Sequence, residues 1–148
     1  MADMSNRTVA GLMKDLVVAR LNAGQLSGWE FKLGKIPSTP DKIIAFVDQG
    51  GQAAFPHMLT DFPGLQILVR GGRGGNGYQD GYLMIRLLRD TILGHPGQPP
   101  EFVELTSVTE RGHIVPLGYD DADRHTWSSN YQLIVEPGAN AITYRTPM

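Results

Sequence analysis

Cysteine is absent from the chain, which excludes disulfides, thiolate catalysis and zinc sites built on sulfur. Long apolar runs are absent too. The longest, Ile43-Ile44-Ala45-Phe46-Val47, is far too short to span a bilayer. Met1 to Arg7 hold no apolar core, so no secretory leader is expected. Charge of one sign is not in excess: 13 Lys and Arg stand against 15 Asp and Glu, a net charge of −2. Splitting the chain at residue 74 leaves +2 on the first half and −4 on the second. Neither half is the footprint of a nucleic-acid or membrane-surface binder. Catalytic signatures are missing as well. The chain has no HExxH, no Gly-x-Ser-x-Gly elbow and no Ser-x-x-Lys. Its four histidines, His57, His95, His113 and His125, show no metal-ligand spacing, so no metal is expected.

What is there suits one domain of 148 residues, 41% of them apolar. Such a chain buries roughly two-thirds of its unfolded surface and needs no staples. The 18 glycines and 10 prolines point to many turns between short elements. Val9, Leu12, Met13, Leu16 and Val17 recur with helical spacing and predict a helix over Thr8 to Leu21. Ser5 or Asn6 is the expected cap and Gly24 the expected stop. Gly81, Met84, Ile85, Leu88 and Ile92 predict a second helix over Tyr78 to Leu93, with Leu83 and Leu87 widening its buried stripe. Asn76 and Gln79 stand at capping-box spacing before it.

Between the helices, strands are expected at Trp29–Leu33, Lys42–Asp48 and Leu65–Arg70, with Gln49-Gly50-Gly51 breaking the second. Pro37 to Asp41 and Phe55 to Gly64 read as loops. After the second helix come Phe102–Thr109, the edge-like Ile114–Leu117, the long His125–Glu136, and a short strand at Ala141–Tyr144. Gly118 to Arg124 reads as the loop between the second and third of these. Consecutive late strands favour an α+β fold: a mostly antiparallel sheet flanked by two main helices.

Two segments invite a chemical reading. Gly72-Arg73-Gly74-Gly75-Asn76-Gly77 is literally G-x-G-x-x-G between a strand and a helix, where a dinucleotide pyrophosphate would sit. No second nucleotide-binding half follows, so the five glycines in the seven residues from Gly71 to Gly77 are read as a flexible loop, with nucleotide binding as the alternative. Asp120, Asp121 and Asp123 beside Arg124 fail the calcium-loop spacing in every register. They fit a hairpin end whose carboxylates take up turn amides and whose arginine pairs with one of them. No cofactor is implied. Trp29 and Trp127 read as core or interface aromatics.

The pattern from Leu65 onward carries a resemblance. A strand ends in Arg70-Gly71, a Gly-rich loop leads into a helix with Tyr82, and a strand follows. Then come Pro116-Leu117-Gly118-Tyr119-Asp120, Arg124, and Asn130-Tyr131 in the last long strand. Over roughly residues 8 to 136 this resembles the tail terminator family of long-tailed bacteriophages, often labelled minor capsid proteins. The resemblance implies a structural virion protein, not an enzyme. It implies a homohexameric ring at the tail–neck junction, assembled in the host cytoplasm. The ring would cap the tail tube, stop its polymerisation, and meet a head–tail connector or stopper protein. DNA would pass through such a ring without sequence-specific contact, and no membrane is involved. Two alternatives stay open: a nucleotide- or small-ligand-binding enzyme domain using residues 71–77, and another neck or tail-completion protein. Under the ring reading, exposed loops at the sheet end make the contacts. The candidate interface residues are Arg70, Gly72, Arg73, Gly74, Asn76, Tyr119, Asp120, Asp121, Asp123 and Arg124. Asp120 and Asp123 are expected to be exposed, and Arg70 or Arg124 to fork onto a neighbour's carboxylate.

Overall fold

A computed structural model describes residues 8–52, 62–93 and 105–135. In chain order the elements are α1 (Val9–Arg20), α2 (Ala23–Leu26), β1 (Glu30–Leu33), β2 (Ile43–Gln52) and β3 (Phe62–Arg73). Then come α3 (Gly75–Leu93), β4 (Leu105–Glu110), β5 (Val115–Tyr119) and β6 (Arg124–Val135). The expected loop at 55–64 lies outside the described residues up to residue 61, and Phe62 to Gly64 open β3 instead of ending a loop. The expected strand at 141–144 lies outside them.

Helix α1 forms where the apolar stripe demands it: Leu12, Met13, Leu16 and Val17 are at most 1% exposed. Its cap is Thr8, not Ser5 or Asn6, which lie outside the described residues. The Thr8 hydroxyl accepts from the Gly11 amide at 3.1 Å. A second free amide of that first turn, Ala10 N–H, donates to the Asp48 carboxylate at 2.8 Å. A carboxylate there also suits the positive end of the helix dipole. The helix stops at Leu21, ahead of Gly24, because Asn22 starts a new turn. Asn22 and Gln25 form a reciprocal capping box, and Gly24 sits inside α2.

The sheet order is β1-β2-β3-β6-β4, and β5 also pairs with β6. Among the described residues only the β1–β2 pairing is parallel; the others are antiparallel. The fold is therefore α+β with a mixed, mostly antiparallel sheet of six strands, as the order of elements implied. The expected break at Gln49-Gly50-Gly51 is a register irregularity within β2 instead. Strands β4 and β5 run consecutively along the same side of β6, and the Arg111 amide bonds the Asn130 carbonyl between them at 2.7 Å.

Strand alternation divides the sheet's two faces. Ile44 and Phe46 on β2 share one face with Leu65, Ile67 and Val69 on β3 and with Trp127, Tyr131 and Leu133 on β6. The two helices close over that face: α3 packs on β3 and β6, α1 on β2. These eight strand residues are no more than 6% exposed, as are Met84, Ile85, Leu88 and Ile92 of α3. Leu83 departs from the expectation: it is 51% exposed, because α3 turns only one side to the sheet. The candidate residues gather at one end of the sheet, where β3 passes into α3 and β5 turns into β6.

Candidate functional site

At one end of the sheet three segments converge: the tip of β3 with the start of α3, the turn between β5 and β6, and the loop ahead of β2. The Gly74 amide donates to the Asp123 carbonyl at 3.0 Å, joining the first two directly. Arg73 lies opposite Arg124 in the β3–β6 register.

The Gly-rich segment is a packed turn and not a flexible loop. A Cβ on Gly77 would lie 1.7 Å from the Gly72 carbonyl oxygen, and one on Gly71 would lie 2.0 Å from that of Gly77. Backbone therefore lies directly against backbone as β3 passes into α3. Helix α3 begins at Gly75, with the Gly74 carbonyl accepting from Gly77 and Tyr78. Asn76 is thus an exposed residue of the first turn and not the cap. Gly74 has φ +80°, a conformation that favours glycine. One turn further on, Gly81 fits beneath Trp127, whose ring carbon would be 3.0 Å from an added Cβ. The room a pyrophosphate would need at Gly71 and Gly77 is filled by the chain's own carbonyls. The carboxylates of the neighbouring turn would also repel an anion.

The acidic turn is built as the sequence suggested. Asp120 Oδ1 accepts from the amides of Ala122 and Arg124, both at 3.0 Å. Its other oxygen takes Arg124 Nε at 2.9 Å and Nη2 at 2.8 Å. Burial pushes the Asp120 carboxyl up, but the Arg124 guanidinium and these amides outweigh it and hold the group below the usual carboxylate range. Asp123 takes φ 62° to close the turn. Asp121 and Asp123 are exposed, and among the described residues neither has an ion partner.

Arg70 and Arg124 do not reach outward, contrary to expectation. They are 4% and 7% exposed. Arg124 Nη1 donates to the Ser38 carbonyl at 2.6 Å and to Asp41 at 3.2 Å. Arg70 donates to the carbonyls of Pro40 and Asp41 at 2.6 and 3.0 Å. Both guanidinium groups pin the Ser38–Asp41 loop to the sheet, so their donors are engaged within the chain. Asp120 is likewise a structural partner. Its hydrogen bonds raise the Arg124 pKa, while burial and the neighbouring Arg124 lower that of Arg70. Arg73 remains exposed and reaches Asp41 at 3.5 Å. Gly72 and Gly74 are half-buried.

Tyr119 is 54% exposed at the end of β5, and sequence reasoning missed what it rests on. Tyr78 from α3 stacks beside it at 6.4 Å and is itself 39% exposed. Beneath both lies buried His125, 5.0 Å from the Tyr119 ring and 4.6 Å from that of Tyr78. Trp127 completes the group, its indole N–H donating to the Tyr78 carbonyl at 3.2 Å. The signal was present in Tyr78 and Tyr82, one turn apart at the head of a helix. Ser38, Pro40 and Asp41 carried no comparable signal. Exposed aromatics thus rest on a buried base, flanked by carboxylates with no ion partner among the described residues.

Among the described residues no group of three His, Asp or Glu is placed to hold a metal. An open groove of about 280 Å³ lies beside α3, lined by Gln25, Trp29, Lys42, Asp80, Leu83, Met84 and Leu87. Its charged residues, Lys42 and Asp80, pair with each other at 3.8 Å. No curated protein matches the chain. A family model described as bacteriophage tail terminator protein matches residues 8–137.

Proposed function

The chain belongs to the bacteriophage tail terminator family, and from that premise we propose that six copies form a ring on the end of the tail tube. Membership makes it a structural component of the virion tail. The finer reading is that the ring ends tube polymerisation and then offers its other face to a head–tail connector or stopper protein. The observation that carries it is the family match, which spans every helix and strand of the described residues.

The physical logic is that of a closed assembly. A growing tube ends in unsatisfied subunit contacts repeated about an axis. A ring of matching symmetry engages all of them together, so individually weak contacts sum through effective concentration. A heterologous ring that closes on itself has no free end from which to elongate. The rigid turn cluster supports this reading, because Tyr119, Tyr78, Asp121 and Asp123 are held ready on a base that needs little ordering on contact.

The test uses a phage-producing cell. Without this protein, tails of uncontrolled length and unjoined heads are expected, and electron micrographs of the purified protein should show rings. Normal-length tails joined to heads in its absence would refute the assignment.

A further inference from the structure

The two outer edges of the sheet carry complementary features. At one edge, β5 pairs only with β6 among the described residues and exposes Val115, Leu117 and Tyr119 at 43%, 54% and 54%. Beyond it stand Asp121 and Asp123, exposed and without ion partners among the described residues. At the opposite edge, β1 pairs only with β2 among the described residues. There Leu33 is 48% exposed, and Lys35 follows across Gly34, exposed and likewise unpaired among the described residues. Gly34 holds φ +85°, and its amide bonds the Phe46 carbonyl at 2.9 Å, so the step from Leu33 to Lys35 is anchored to β2. One edge is thus apolar with acids; the other is apolar with a base, beside the mutually paired Glu30 and Lys32 of β1. In the sheet order β1-β2-β3-β6-β4, β1 is one outer strand, and β5 shares the other side with β4, each paired with β6.

We propose that the β5 edge and acidic turn of one copy dock on the β1 edge of the next, Leu117 and Tyr119 meeting Leu33, and Asp121 and Asp123 meeting Lys35. This rests on the ring reading and names the surfaces that would mate. The occupant is a second copy because both halves of the contact are present on one chain with opposite charge. Two different surfaces in contact make a head-to-tail interface, the kind that closes into a ring. An isologous contact of either edge with itself would bring like charges together. Pro116 lacks an amide proton, so β5 cannot donate a full ladder to a neighbour. The contact is therefore made by side chains, and Pro116 guards the edge against indiscriminate strand pairing.

The absence of native cysteine makes the test direct. Leu33→Cys and Leu117→Cys are introduced singly and together in the full-length protein and treated with a short bifunctional maleimide. The doubly substituted chain should give a ladder of covalent oligomers ending at six. A mixture of the two singles should give covalent dimers, and each single alone should give no covalent oligomer. Self-dimers from either single, or no ladder from the double, would overturn the proposal. A second arm reverses charge with Asp121→Lys and Asp123→Lys. Assembly should weaken about tenfold per interface, as two exposed pairs each contributing a few-fold would give. Adding Lys35→Asp to the same chain should restore it. Wild-type assembly by the reversed protein would count against the contact. Rings that form without these cross-links would sink this interface and leave the ring reading standing. Normal tails without the protein would sink the terminator reading itself, whatever the cross-links show.

Discussion

Gly77→Ala tests whether the Gly-rich segment is a packed turn. The added methyl would sit 1.7 Å from the Gly72 carbonyl oxygen and 2.4 Å from its carbon. Both are backbone atoms, so no rotamer change relieves the contact. The tip of β3 and the first turn of α3 must separate by more than an ångström. Overpacking of this kind costs about 1–3 kcal/mol, and more where backbone must move. Replacing glycine in a helix returns up to about 1 kcal/mol. A net loss of roughly 2–3 kcal/mol is expected, a fall of about 5–10 °C in Tm for a chain of this size. Two neighbours serve as controls. Gly75 meets nothing within 4 Å, so Gly75→Ala should be neutral or stabilise by up to about 1 kcal/mol. Gly74 also has open space but holds φ +80°, so Gly74→Ala should cost about 1–2 kcal/mol. Urea midpoints of the three variants decide the matter. If all three behave alike, or Gly77→Ala melts with the wild type, residues 71–77 are a loose loop and the packing argument fails.

Leu88 is fully buried in the α3 stripe, so Leu88→Ala should cost about 2–5 kcal/mol; an unchanged midpoint would mean that α3 does not face the sheet. The Asp120 carboxyl titrates below its unfolded value, so its contribution is complete above about pH 4 and is lost as pH falls through the folded pKa. Asp120→Asn should therefore be less stable than wild type at pH 7, with the gap narrowing by pH 3; a constant gap in urea midpoints would disprove the linkage. Burial lowers the His125 pKa, so protonation favours the unfolded chain and stability should decline below about pH 6.5. His125→Phe should flatten that decline, and an identical pH profile would rule His125 out as its source. Titration with NAD, FAD or ATP to millimolar concentration should show no saturable binding; binding abolished by enlarging Gly74 would revive the nucleotide reading.

What the sequence determined by itself is whatever depends on local order. Helical spacing placed α1 and α3 to within a few residues, and period-two alternation placed Leu65, Ile67 and Val69 on one face. The run of strands after α3 announced an antiparallel arrangement, although only pairing registers revealed that β1 joins in parallel. Even the acidic turn was legible, because Asp120 bonds groups within four residues of itself. Tertiary structure decided the rest, since the deciding contacts join distant segments. Arg124 reads as a surface arginine until Ser38 and Asp41 are folded against it from more than eighty residues away. Arg70 is likewise turned inward by the carbonyls of Pro40 and Asp41. Glycine is written the same way whether it supplies flexibility or closeness. Gly71 and Gly77 supply closeness, which shows only once their backbones lie against each other. Exposure follows the same rule: periodicity tells which residues share a stripe, but only the packed neighbours determine how wide the buried stripe becomes. That is why Leu83 lies outside on α3 while Leu88 lies within.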